Sequence, residues 1–314
     1  KTYLYTSEKI DGPWKKQLIE GFYHDGSLLF DEDGRNYIVY GNDEIWITEL
    51  NEDLTAPKKD GLHRLLVSDH KNPELGYEGS HIQKINGYYY IFLIHSLRDR
   101  WMRTEACFYS DSLEGEFTGG DVLCDDRGYC GQGVAQGGIV DTPDGKWYAM
   151  LFQDSGAVGR IPILLPVTWK DHFPFFGQNG HVPEEIEVHS TRPGYIYQPL
   201  VGSDDFCNGL LPRWQFNHDP DPRYYHLDAL QGTYTITTRE VCTELTQAVN
   251  TLTQRMSYPS CAAEVTVDAS ALKEGDVAGL CALQSCYAAV GITKHHGKYE
   301  VLMLDKKENG ILDM

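Results

Sequence analysis

The sequence predicts an all-β protein in which β-propeller blades are followed by a β-sandwich. Three observations lead there. Three short stretches are variants of one unit: Asp25-Gly26-Ser27-Leu28-Leu29 leads into Asp33-Gly34 and Tyr37-Ile38-Val39-Tyr40; Glu78-Gly79-Ser80-His81-Ile82 leads into Asn86-Gly87 and Tyr90-Ile91-Phe92; Gln136-Gly137-Gly138-Ile139-Val140 leads into Asp144-Gly145 and Trp147-Tyr148-Ala149-Met150. The marker glycines Gly26, Gly79 and Gly137 lie 53 and 58 residues apart, a spacing that fits propeller blades with a hairpin inside each. The chain's 31 glycines and 20 tyrosines in 314 residues suit many turns and strands. Short alternating segments then continue beyond residue 203 in a different pattern.

Taken in order, Thr2-Tyr3-Leu4-Tyr5 reads as a strand followed by the turn Asp11-Gly12-Pro13-Trp14. A matching stretch recurs at Ala106–Ser110 with Leu113-Glu114-Gly115-Glu116-Phe117, which belongs to the outer part of a blade, so residue 1 is expected to lie inside one. Three complete units follow at roughly 21–70, 71–125 and 126–195. Asp-Gly and Asn-Gly pairs alone are common hairpin turns. Here the turn glycine follows the marker glycine by 8 residues every time, and an aromatic residue opens the next strand. Three blades do not close a ring, which takes about four at least, so N-terminal blades are expected to be missing from the chain. Residues 1–200 are assigned to a partial propeller and 201–314 to a partial sandwich, with strands expected at Thr233–Thr238, Ala263–Asp268, Ala288–Ile292 and Lys298–Met303.

Bulk properties narrow the function. A net charge of −19 argues against nucleic acid, whose phosphates demand clustered Lys and Arg. No run of 18 apolar residues suggests a membrane span. The eight cysteines show no CxxC pair or metal spacing and read as free buried thiols of a reducing compartment, hence a cytoplasmic protein. Pairing of Cys124 with Cys130, or of Cys281 with Cys286, stays open, as does a signal peptide ahead of Lys1.

Equivalent positions in successive blades ring one axis, so Asp25, Glu78 and Gln136 are expected to converge. Two converging carboxylates of different length are what glycosidic-bond hydrolysis needs. The plainer alternative makes both ordinary turn carboxylates.

These motifs resemble glycoside hydrolase family 43, the five-bladed propeller β-xylosidases and α-L-arabinofuranosidases. His24-Asp25-Gly26-Ser27 looks like the family's His-Asp-Pro-Ser blade, and Glu78-Gly79-Ser80-His81 like its Glu-Gly-Pro-His blade. Gln136–Thr142, Gly159-Arg160-Ile161-Pro162, Pro166–Trp169 and Phe173-Pro174 resemble its last blade and closing strands. The segment from Asp204, with Asn250–Arg255, is similar to the accessory sandwich of the xylosidase-like members. The resemblance implies inversion by three carboxylates: Glu78 as general acid, Asp25 as the modulator that tunes it, and a general base upstream of Lys1, outside this chain. It implies no required cofactor and no metal. Ala135 replaces a His associated with a central ion, which leaves a structural calcium little support.

Arg160 is the lone charge in a strand that is otherwise apolar from Ile161 to Val167 and reads as a fork of donors for sugar hydroxyls, or else as a solvated edge charge or a buried salt bridge. Gln136 offers donor and acceptor to a hydroxyl or an ordered water, with a purely structural use as an equal alternative. His81, three residues beyond Glu78, reads as a hydrogen bonder near the acid. The aromatics Trp46, Trp101 and Phe152 read either as stacking surfaces for a sugar or as blade-to-blade packing, and none is assigned to the site. The expected activity is exo-acting release of xylose from β-1,4-xylo-oligosaccharides, or of α-L-arabinofuranosyl groups from decorated chains, with no nucleic-acid or membrane partner. A non-catalytic sugar-binding propeller and an endo-arabinanase are the rivals. A propeller lectin would repeat its binding residue in each blade, whereas this axial position changes from Asp to Glu to Gln.

Overall fold

A computed structural model describes residues 1–313 except 189, 191, 258, 259, 285 and 308–311. It divides into two compact units, Lys1–Ser190 and Thr191–Met314. The first unit opens with the antiparallel pair β1 (Thr2–Thr6) and β2 (Lys15–Ile19). Three four-stranded antiparallel meanders follow. Blade A holds β3 (Ser27–Phe30), β4 (Asn36–Asn42), β5 (Glu44–Leu50) and β6 (His63–Ser68). Blade B holds β7 (Glu78–Ile85), β8 (Tyr88–Ser96), β9 (Arg103–Ser110) and β10 (Thr118–Leu123). Blade C holds β11 (Gly138–Asp141), β12 (Trp147–Asp154), β13 (Arg160–Lys170) and β14 (Phe173–Phe176).

The repeated Gly of the hairpin turns is a backbone requirement. Asn86 and Gly87 join β7 to β8 with φ of 50° and 84°, the two positive angles of a type I′ turn, whose twist matches that of the flanking strands. A Cβ at Gly87 would meet nothing within 4 Å, so conformation rather than space selects glycine there.

β8 shows how the sequence builds the unit. Tyr89 to Ser96 are all buried, because this second strand of blade B has a blade on each face. Alternation divides them: Tyr89, Ile91 and Leu93 pack with Leu29, Tyr37, Val39, Ile45 and Ile47 of blade A, while Tyr90 and Phe92 pack with Ile139, Ala149, Leu151 and Leu165 of blade C. Fully burying one such side chain contributes about 1.5–3 kcal/mol, so the inter-blade seams fix the three blades against one another.

The second unit holds β15 (Gln215–Phe216), β16 (Tyr225–Asp228), β17 (Thr233–Ile236), β18 (Leu252–Thr253), β19 (Val277–Leu283), β20 (Tyr287–His295), β21 (Lys298–Lys306) and β22 (Leu312–Asp313). β15 pairs with β18 and β16 with β17, and β19 to β22 form one sheet. Three of the four expected strands are present. Ala263–Asp268 is not one: it carries the alternation, but no ladder among the described residues includes it, and a strand exists only when its N–H and C=O groups find a partner strand. All eight cysteines are free. The expectation of buried thiols holds for Cys107 alone at full burial; Cys124, Cys130, Cys207 and Cys261 are exposed because they lie in loops or irregular segments outside the ladders. No helix among the described residues is long and apolar enough to cross a membrane.

Candidate active site

The three repeat positions meet where the inner strands begin. Asp25 lies just ahead of β3 at φ 46°, a left-handed conformation that Asp tolerates better than most side chains. Glu78 is the first residue of β7. Ser80 sets the two strands against each other: its buried hydroxyl lies 3.0 Å from the Asp25 carbonyl and 2.8 Å from that of Val39 and donates to these oxygens. Ile82 N–H donates to Ser27 Oγ at 3.3 Å. The Ser that follows each marker glycine in blades A and B thus makes the seam between them.

Side chains of His24, Asp25 and Glu78 come together as a result, with one ligand atom of each within 4.8 Å of the others. His24 Nε2 is 3.7 Å from Asp25 Oδ2 and 3.6 Å from Glu78 Oε2. Asn42 Nδ2, at the end of β4, donates to Glu78 Oε2 at 2.9 Å. The Asp25 side chain is 44 % exposed and that of Glu78 24 %, so a solute reaches both. These three residues are also the set that could hold a cation among the described residues.

Gln136, the third repeat position, lies over the peptide that follows the acid. Gly79 has φ 65°, which favours glycine, and a Cβ built on it would fall 1.8 Å from Gln136 Nε2, so any larger residue would displace that side chain. His81 projects from β7 opposite Gly138 of β11. Its ring is open to solvent on one side yet walled by protein; the walls disfavour its charged form and lower its pKa, with Asp25 pulling the other way. It makes no hydrogen bond to another described residue.

Arg160 opens β13, facing Asp154 across the β12–β13 ladder. Its Nε is 3.3 Å from Asp154 Oδ1, its Cζ lies 4.6 Å from the centroid of Phe152, and its side chain is 66 % exposed. Arg160 thus makes an ion pair, but an exposed one and not the buried salt bridge that the sequence offered as an alternative. Behind it, Arg103 is buried and donates to Asp154 and to the Ala135 carbonyl. Two residues on, Glu105 is fully buried, and neither carboxyl oxygen has a hydrogen-bond partner among the described residues. Burial pushes its pKa well above the ordinary carboxylate value. The Gly137 amide and the Arg103 charge offset this only in part.

Asp25, Glu78 and Gln136 therefore converge as the repeat implied. His24, Asn42, Arg103 and Asp154 were not assigned from sequence. His24 had a signal in its adjacency to Asp25, and Arg103 in its being a charge at the head of a strand that runs on into Ala106-Cys107-Phe108-Tyr109; Asn42 had none.

A model of the family described as glycosyl hydrolases family 43 matches residues 1–174, and one described as beta xylosidase C-terminal concanavalin A-like domain matches residues 203–313. A putative beta-xylosidase of Xylanibacter ruminicola is 26 % identical over 308 residues, covering 93 % of this chain and 56 % of the relative. Xylosidase/arabinosidase 43B of Humicola insolens is 26 % identical, covering 91 % and 56 %. The chain spans about half the length of the curated relatives it matches. Among solved structures, a bifunctional GH43-CE protein of Bacteroides eggerthii superposes with a TM-score of 0.82 at 39 % identity, over 99 % of this chain and 40 % of that one.

Proposed function

The chain belongs to glycosyl hydrolases family 43, and from that premise we propose that it acts as an exo-acting, inverting glycosidase that releases xylose from β-1,4-xylo-oligosaccharides, α-L-arabinofuranosyl groups from their decorations, or both. The observation that carries this reading is the meeting of Asp25 and Glu78 at the heads of neighbouring inner strands.

Glu78 is the general acid. It donates its proton to the departing sugar oxygen while an oxocarbenium-like centre develops on the ring carbon. Asn42 holds one carboxyl oxygen and leaves the other to face substrate. Asp25 is the modulator: its carboxylate stands beside the acid, with a ligand atom of each within 4.8 Å and His24 next to both. Asp25 is not the base. Inverting pairs leave roughly 6.5–9.5 Å between acid and base so that a water fits, and Asp25 lies within 4.8 Å of the acid. Water activation therefore belongs to a carboxylate outside this pair. Arg160, Gln136 and His81 are assigned to the sugar hydroxyls. The guanidinium of Arg160 is anchored at Nε and otherwise open to solvent, an arrangement suited to bidentate donation.

Stereochemistry tests the reading. Hydrolysis of an aryl β-xyloside by the full-length protein, followed by proton NMR in the first minutes, is expected to give α-xylose before mutarotation. First-formed β-xylose would make Asp25 a nucleophile and overturn the assignment of roles.

A further inference from the structure

A buried arginine connects the two groups assigned to sugar binding. Arg103, the first residue of β9, is 4 % exposed. Its Nη2 donates to the carbonyl of Ala135 at 2.9 Å, and Ala135 is the residue directly before Gln136. Its Nη1 donates to Asp154 Oδ2, while the other oxygen of Asp154 accepts from Arg160 Nε at 3.3 Å. The rings of the cluster agree: Arg103 and Arg160 lie 4.9 and 4.6 Å from the centroid of the same Phe152. Ala135 N–H donates to the Phe152 carbonyl at 3.0 Å, which closes the frame.

We propose that Arg103 is a positioning residue that fixes Gln136 through the Ala135 carbonyl and Arg160 through Asp154, and so sets sugar affinity without touching the sugar. The proposal rests on the reading of Gln136 and Arg160 as hydroxyl binders. The chemistry explains why arginine occupies the position. A guanidinium presents donors in a fixed planar fork and serves a carbonyl and a carboxylate at once. A lysine carries the same charge on one nitrogen and does not span both. A residue needed only to balance Asp154 would be replaceable by lysine; a positioning residue would not.

The test is Michaelis kinetics on xylobiose and an aryl β-xyloside with the full-length protein, using Arg103→Lys, Arg160→Ala and the double variant. Each single change is expected to raise KM about tenfold with kcat within about threefold of the parent. The double variant is expected to stay near thirtyfold, well below the hundredfold of independent sites, because both changes disable one device. Additive losses, a lysine variant that behaves as the parent, or a loss confined to kcat would each overturn the proposal. Should Arg103→Lys fail to fold, Asp154→Asn disables the Arg160 arm alone, with the buried arginine and its bond to the Ala135 carbonyl left in place. A KM rise no larger than that of Arg160→Ala, and non-additive with it, is expected there, and an unchanged KM or full additivity sinks the idea. A parent protein that turns over neither substrate would refute the function proposed above, not this link. Xylobiose affinity by calorimetry then reads the same cycle, with additivity again the overturning result.

Discussion

The carboxylate group at the seam of blades A and B and the arginine group at the seam of blades B and C are built in opposite ways. In the first, His24 stands 3.6–3.7 Å from both carboxylates, and Glu78 has one hydrogen bond, from Asn42. In the second, Asp154 is held by two arginines, and Arg103 is committed to a carboxylate and a carbonyl out of solvent. The loosely held side keeps lone pairs and protons available for transfer. The tightly held side has spent its hydrogen bonds on geometry. Chemistry and positioning are thereby separated across one blade, since β7 supplies Glu78 and β9 supplies Arg103.

The strongest way to break that division is Glu78→Gln. The amide keeps the shape and the Asn42 contact but has no proton to give. Loss of general-acid catalysis costs typically 10²–10⁴, and kcat on xylobiose is expected to fall about 10³-fold with KM within about threefold. An aryl xyloside with a dinitrophenolate leaving group, which departs without protonation, should be spared. Equal loss on both substrates, or a change mainly in KM, would erase the difference between the two seams.

Gly79→Ala sharpens the comparison, because Gly79 is where the two groups touch. The new Cβ would fall on the Gln136 amide and would also have to accept φ 65°, which costs an L-residue about 1–2 kcal/mol. A fall in kcat/KM of about thirtyfold is expected. With Gln136→Ala already in place the colliding atom is gone, so the further loss should be about threefold, the share left to backbone strain. An undiminished thirtyfold loss in that background would mean that Gln136 is not held against the acid-bearing strand.

How much of this was legible in the sequence follows from what repeats. Gly87 and its counterparts had to reappear because a tight hairpin needs positive φ, and Asp25, Glu78 and Gln136 inherited their convergence from that spacing. Asn42 and Arg103 occupy ends of strands that the repeat does not mark, and they reach the site only through the stacking of blades. Alternation was equally blind at Ala263–Asp268: it says which side chains share a face, not whether a neighbouring strand offers its backbone. Arg160 was legible as a charge out of place, but its anchoring by Asp154 needed the register of β12 with β13.

Glu105 gives the smallest effect and the most direct reading of the buried seam. Its carboxyl is fully enclosed without a hydrogen-bond partner among the described residues, and burial, which disfavours the charge, pushes its pKa well above the ordinary carboxylate value. The sign follows from linkage. Between about pH 4.5 and the raised folded value, the folded protein holds a proton that the unfolded chain releases, so this group contributes stability that is complete below the unfolded pKa and is lost as pH rises through the folded one. Glu105→Gln is isosteric and has no proton to lose. Parent and variant should melt alike near pH 4, and the variant should then gain, reaching a few degrees in Tm by pH 8, where a kcal/mol corresponds to roughly 2–4 °C for a domain of this size. Thermal melts at several pH values decide it. Parallel courses in the two proteins would show that the carboxyl is ionised and paired in the folded state, and the B–C seam would then hold a charge network wider than the arginine frame.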